Sequence, residues 1–223
     1  MIPGPEWFVA ACALFTAGLL WAEKRESVRL KWLFKPLASA SFVGVAIAGG
    51  ALSSRYGQVI LVGVVLCMLG DLLLIPRKDS TFLLGLGSFL LGHVAFAWAF
   101  TMFGLDLTLA AAGLALAAVL AIPLMGLLIW PRVPAPMRVP VALYTLVISA
   151  MVATACGGWG QGLPGLVPVG ALAFFLSDLS VALDRFVRAS FTNRVWGLPL
   201  YFGAVCLIAL SASMVWNSEL GVA

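Results

Sequence analysis

The sequence predicts an all-α integral membrane protein, a single domain of eight transmembrane helices over residues 1–223. Three observations lead there. Of the 223 residues 63% are hydrophobic and 10% charged, with a mean hydropathy of +1.10, a balance that no water-soluble core of this size hides from solvent. The apolar residues form eight runs, each near the about 20 residues that cross the hydrocarbon core of a bilayer. Lys and Arg gather in alternate loops. Eight spans with short loops use nearly the whole chain and leave no room for a soluble domain.

The first run, 6–22, has Glu6 ahead of it and Glu23, Lys24, Arg25 and Glu26 behind it. That is the reverse of a secretory signal peptide, so the run is expected to stay as a helix. The second, 36–53, starts at Pro36, which suits a first helical position. The third and fourth, 57–75 and 82–103, flank Arg77 and Lys78; the fifth, 107–130, contains Pro123. The sixth, seventh and eighth, 139–157, 164–184 and 197–216, are bounded by charge, Pro or Gly, with Pro140 and Pro199 near two of their starts.

Orientation follows from the basic residues. Lys24, Arg25, Arg29, Lys31 and Lys35 precede the second run, Arg77 and Lys78 the fourth, Arg132 and Arg138 the sixth, and Arg185, Arg188 and Arg194 the eighth. Arg55 alone of the 13 basic residues falls on the other side. Basic loops stay cytoplasmic, so both termini are expected on the non-cytoplasmic side, in what reads as a bacterial inner membrane. The net charge of +4 is scattered singly rather than clustered on one module, which argues against a nucleic-acid partner. Cys12, Cys67, Cys156 and Cys206 lie far apart in apolar runs without metal-ligand spacing, and read as small core hydrophobes. A faint similarity, Gly70-Asp71-Leu72 against Ser177-Asp178-Leu179, suggests a weak four-plus-four helix repeat.

A carboxylate inside a membrane helix costs at least about 2.5–3.5 kcal/mol and is by default a functional-site hypothesis. Asp71 and Asp178 qualify. By helical rise Asp71 lies roughly 9 Å from Arg77 and Asp178 roughly 10 Å from Arg185, so the two share a depth. Lys78 and Arg185, each seven residues beyond an aspartate, fall on about the same helix face, a basic layer above an acidic one. The competing reading pairs each Asp with a neighbouring cation as a packing lock. Lys35, before Pro36, opposes the helix dipole unless a carboxylate or phosphate faces it; its other reading is a topology residue. His93, the single histidine, sits roughly 18 Å into its helix, with Gly85, Ser88 and Gly92 nearby for close helix contact. It either orients an Asp or a water, or is a hydrogen-bonded structural residue. Tyr144 and Tyr201 reach the depth of the aspartates or belong to the interfacial belt.

Other chemistries lack their residues. One histidine does not build a multi-His zinc site, and no metal or other cofactor is expected. There is no GxSxG elbow, and phosphate and dinucleotide glycine motifs are missing. A transporter would draw on the same acidic pair but needs helices broken at the midplane, where Pro123 is the one candidate. An intramembrane aspartyl protease would need a GxGD motif, and Met68 occupies the position of its first Gly.

Lys35-Pro36, Gly70-Asp71, the Phe89 to His93 stretch, Pro140 with Tyr144, Ser177-Asp178 followed by Arg185-Phe186, and Pro199 to Tyr201 occur in this order over eight helices. Together they resemble the YhhN-like lysoplasmalogenase family of membrane hydrolases, from about residue 30 to 213. The resemblance implies cleavage of the vinyl ether bond of a lysoplasmalogen, a lysophospholipid held in the bilayer, to a fatty aldehyde and glycerophosphoethanolamine or glycerophosphocholine. It also implies Asp71 and Asp178 as the catalytic pair. The chemistry suits them: protonating the β-carbon of a vinyl ether gives an oxocarbenium ion that water traps. Two carboxyls in a low-dielectric site do not easily both ionise, leaving one as acid and one as anion. Lys35, Lys78 and Arg185 are then the candidate ligands of the substrate phosphate, with His93, Tyr144 and Tyr201 completing the substrate site.

Overall fold

A computed structural model describes residues 4–76 and 78–219. It is helical throughout, and no strand forms among the described residues. The helices are α1 Pro5–Lys24, α2 Val28–Ala48, α3 Arg55–Leu74, α4 Asp79–Thr101, α5 Leu107–Ala121, α6 Ala135–Trp159, α7 Leu166–Ala182 and α8 Phe191–Glu219. α5 runs on as a π-helix, Ile122–Ile129, and a 3₁₀ turn, Trp130–Arg132; α7 runs on as a π-helix, Leu183–Val187. With these extensions, all eight are long and apolar enough to cross a membrane.

Local chemistry sets the ends. Pro5 opens α1 at a position whose N–H has no intrahelical partner in any case. The side chains of Ser27, Ser54 and Asp106 cap α2, α3 and α5, accepting from the amides of Leu30, Gly57 and Leu109. Gly57 lies so close to the α2–α3 turn that a Cβ would meet the Ala51 carbonyl oxygen at 2.6 Å, which fixes glycine there.

Three expected boundaries shift for one reason. Charged and proline-bearing flanks that read as loops are helical, because hydrogen bonding within a helix satisfies backbone groups at the membrane edge. α2 starts at its Ser27 cap, so Lys35 and Pro36 lie inside it rather than at its first position, and the expected clash of Lys35 with the helix dipole does not arise. Pro140 and Pro199 likewise lie inside α6 and α8. The helix around Pro123 widens into its π segment and continues; it does not split into half-helices. Lys78 is the second kind of correction. α3 ends at Leu74, so helical stacking of Lys78 above Asp71 fails, and Lys78 is an exposed residue at the start of α4. Arg77 lies outside the described residues.

α8 is the hub, packed against α1, α2, α3 and α7, while α4 joins α3 to α6. α5 packs mainly on α6, and it and its π-helical extension turn Leu107, Val119 and Leu127 outward, as a lipid-facing helix does. Between α3 and α4 small residues bring backbones together. A Cβ on Gly92 would stand 3.2 Å from the Gly63 carbonyl oxygen, one on Gly85 3.3 Å from that of Gly70, and Ser88 donates to the Leu66 carbonyl at 2.7 Å. The glycines and serine singled out around His93 thus form the α3–α4 seam. Cys12, Cys67 and Cys206 are buried and all four cysteines are free.

Candidate active site

Several of the polar side chains that the membrane helices carry converge on a cavity of about 460 Å³. Its inner part is lined by Asp71, Asp178, Tyr144 and Tyr201, its apolar wall by residues including Phe82, Leu86, Met125, Val141 and Ile148, and its rim by Glu23, Asp184, Arg185, Asn193 and Arg194.

Asp71 is the most fully engaged group. Its Oδ2 accepts from the Ser39 hydroxyl at 2.6 Å and the Tyr201 hydroxyl at 2.7 Å, and its Oδ1 lies 3.1 Å from the Lys35 ammonium. The expected carboxylate partner of Lys35 is therefore Asp71, reached across helices. Ser39 stands one turn beyond Lys35 on α2, an i,i+4 pair that puts both on the same helix face. That spacing is the sequence signal for Ser39. Three donors, one a full cation, converge on this one carboxyl group.

Asp178 is held differently. Its Oδ2 accepts from the Tyr144 hydroxyl at 2.6 Å and lies 3.7 Å from His93 Nε2. No hydrogen bond to its Oδ1 occurs among the described contacts. Its side chain is 17% exposed against 2% for Asp71, so Asp178 presents an oxygen to the cavity. Tyr144 and Tyr201 are thus carboxyl ligands rather than belt residues. The packing lock also fails for this residue, because Arg185 turns to Asp79 on α4, with its guanidinium over the Phe82 ring at 4.4 Å.

The glycine of Gly70-Asp71 has a structural task. A Cβ at Gly70 would meet the Phe89 ring at 2.6 Å, and Phe89 packs edge-on against Tyr201 at 5.7 Å. Gly70 thereby seats the ring that holds the Asp71 donor in place. Gly70→Ala is expected to cost about 1–3 kcal/mol by overpacking and to weaken activity by displacing Tyr201. Thermal melts in detergent and an activity assay check both effects.

At the rim, Arg194 bonds Glu23 and, at 3.1 Å, Asp184, and Lys31 reaches Glu23 at 2.7 Å. The ends of α1, α2, α7 and α8 are laced together there by charge. Arg194, read in sequence as a topology residue, belongs to the cavity; Lys78 does not line it. Around the two aspartates side chains from α2, α3, α4, α6, α7 and α8 meet, and sequence distance gives no sign of which touch.

The profile of the YhhN family matches residues 30–212. Lysoplasmalogenase TMEM86B of Sus scrofa is 32% identical over 212 residues, covering 92% of this chain and 84% of that protein. Lysoplasmalogenase TMEM86A of Homo sapiens is 30% identical, covering 92% of this chain and 86% of that protein. The lysoplasmalogenase of Mycobacterium bovis is 28% identical over 196 residues, covering 84% and 72%. No solved structure matches.

Proposed function

Since the chain belongs to the YhhN family, we propose that it is a lysoplasmalogenase, a multi-pass membrane hydrolase that cleaves the vinyl ether of a lysoplasmalogen to a fatty aldehyde and a glycerophosphodiester alcohol. The observation that carries the reading is the cavity that joins two differently held aspartates to an apolar wall and a charged rim. Its arrangement suits a single-chain lipid: headgroup at the rim, reacting bond at the carboxyls, chain along the apolar wall.

The two environments suggest a division of labour. Asp71, held by Lys35, Ser39 and Tyr201, serves as the anion. Asp178, with one oxygen free toward the cavity, serves as the acid. Asp178 gives its proton to the β-carbon of the vinyl ether, whose π electrons form the new C–H bond and leave an oxocarbenium ion. The charge of Asp71 steadies that cation, as an anionic carboxylate does in glycoside hydrolysis. Water adds to the cationic carbon and returns a proton to Asp178. The hemiacetal then collapses, its hydroxyl proton passing to the glycerol oxygen as the C–O bond breaks. One water is consumed and both carboxyls are restored. Arg185 and Arg194, with Lys35 deeper, are the cations within reach of a phosphate in the cavity. By the basic-loop rule the rim faces the cytoplasm and both termini the opposite side, in a cell membrane of bacterial type.

Purified protein in vesicles, given a lysoplasmalogen, an ester-linked lysophospholipid and a membrane peptide, is expected to release fatty aldehyde from the first and to leave the other two intact. Lipid movement without aldehyde would favour a transporter, and peptide cleavage a protease; either result refutes the proposal.

A further inference from the structure

His93 stands out in the cluster because its ring is buried and neither nitrogen makes a hydrogen bond of ordinary geometry, with the Phe89 carbonyl one turn back as the backbone acceptor facing it. Its side chain is 1% exposed. The ring is pinned edge-on against Tyr144 at 5.2 Å and tilted against Phe174 at 4.6 Å. A buried polar group left unpaired is costly, and one that persists in a native structure calls for an explanation, a catalytic role among them. His93 does not line the cavity; it stands behind Asp178, which does. Nε2 lies 3.7 Å from Asp178 Oδ2, somewhat beyond hydrogen-bond length.

We infer that His93 is a positioning residue for the proton donor, its Nε2–H held ready for the carboxylate that Asp178 becomes when it protonates the substrate. This rests on the proposed vinyl ether hydrolysis. While Asp178 holds its proton on Oδ1, toward the cavity, Oδ2 is satisfied by Tyr144 alone. When the proton leaves for the β-carbon, negative charge spreads to Oδ2. A shift of under about 1 Å then brings Nε2–H into a charge-assisted bond. The bond is strongest after proton transfer and absent before it, so it lowers the barrier without tightening substrate binding. Return of a proton from the attacking water to Asp178 releases His93 again. Histidine keeps its own proton throughout, and the balance of the reaction is unchanged.

The test uses the full-length protein in vesicles. His93→Leu is expected to lower kcat about 10–100-fold, the worth of a hydrogen bond to a charged group, with KM within about twofold. His93→Gln, whose amide N–H reaches the Nε2 position, is expected to recover most of that loss. Because the chain has a single histidine, imidazole ¹⁵N labelling gives an unambiguous tautomer, expected with the proton on Nε2. A proton on Nδ1, directed at the Phe89 carbonyl one turn back, would overturn the inference. So would unchanged kcat in His93→Leu, or equal losses in the Leu and Gln variants with matching falls in melting temperature. A wild-type protein that releases no aldehyde defeats the hydrolase reading itself. An active wild type with an indifferent His93→Leu defeats this inference alone.

Discussion

Replacing Asp178 with asparagine is expected to lower kcat for aldehyde release about 10²–10⁴-fold, the range that a positioned general acid contributes. Asparagine keeps the shape of the side chain and an oxygen that accepts from Tyr144, whose hydroxyl lies 2.6 Å from Asp178 Oδ2. The fold and the cavity wall should therefore survive, and KM should change little. What is lost is the proton. The measurement is steady-state aldehyde release, with a thermal melt to show that the variant folds. Turnover within a few-fold of wild type would remove Asp178 from the chemistry.

The second large effect is on stability. Lys35→Met strips the ammonium 3.1 Å from Asp71, a carboxylate with a side chain 2% exposed. Removing one partner of a buried ion pair leaves an uncompensated charge and is expected to cost about 3–5 kcal/mol. Ser39 and Tyr201 remain as donors but bring no positive charge. Adding Asp71→Asn to Lys35→Met is expected to restore most of the stability, because a neutral amide tolerates the same pocket. Activity should not return, since the anion that steadies the oxocarbenium ion is gone. Denaturant unfolding in micelles, paired with the aldehyde assay, separates the two effects. If the double variant were as unstable as Lys35→Met alone, the ion pair would not be the source of the loss.

Legibility in the sequence differed by element. The apolar runs of α1, α3, α4, α6 and α7 were found to within a few residues because hydrocarbon thickness dictates their length. The start of α2 was missed by eight residues, from 36 to Val28, because Arg29 and Lys31 look like a loop. In fact Lys31 is buried beside Glu23 at 2.7 Å and extends a capped helix. Lys78 does not stack above Asp71, as seven-residue spacing predicts, because α3 ends at Leu74 and Lys78 caps α4. Asp71 and Asp178 were conspicuous for a physical reason, the cost of a carboxylate in hydrocarbon.

By itself the sequence determined the solvent, the number of spans and the identity of the costly residues, since each depends on transfer free energy summed along the chain. Only the tertiary structure decided how those residues pair. Lys35 meets Asp71, Tyr144 meets Asp178, Arg185 turns away to Asp79, and His93 stands 3.7 Å from Asp178. These contacts join helices far apart in sequence, and they are set by the small residues that let α3 and α4 approach and by the placement of α8 at the centre of the bundle. Helical period specifies the face on which a residue lies, but which neighbour that face meets is a property of packing.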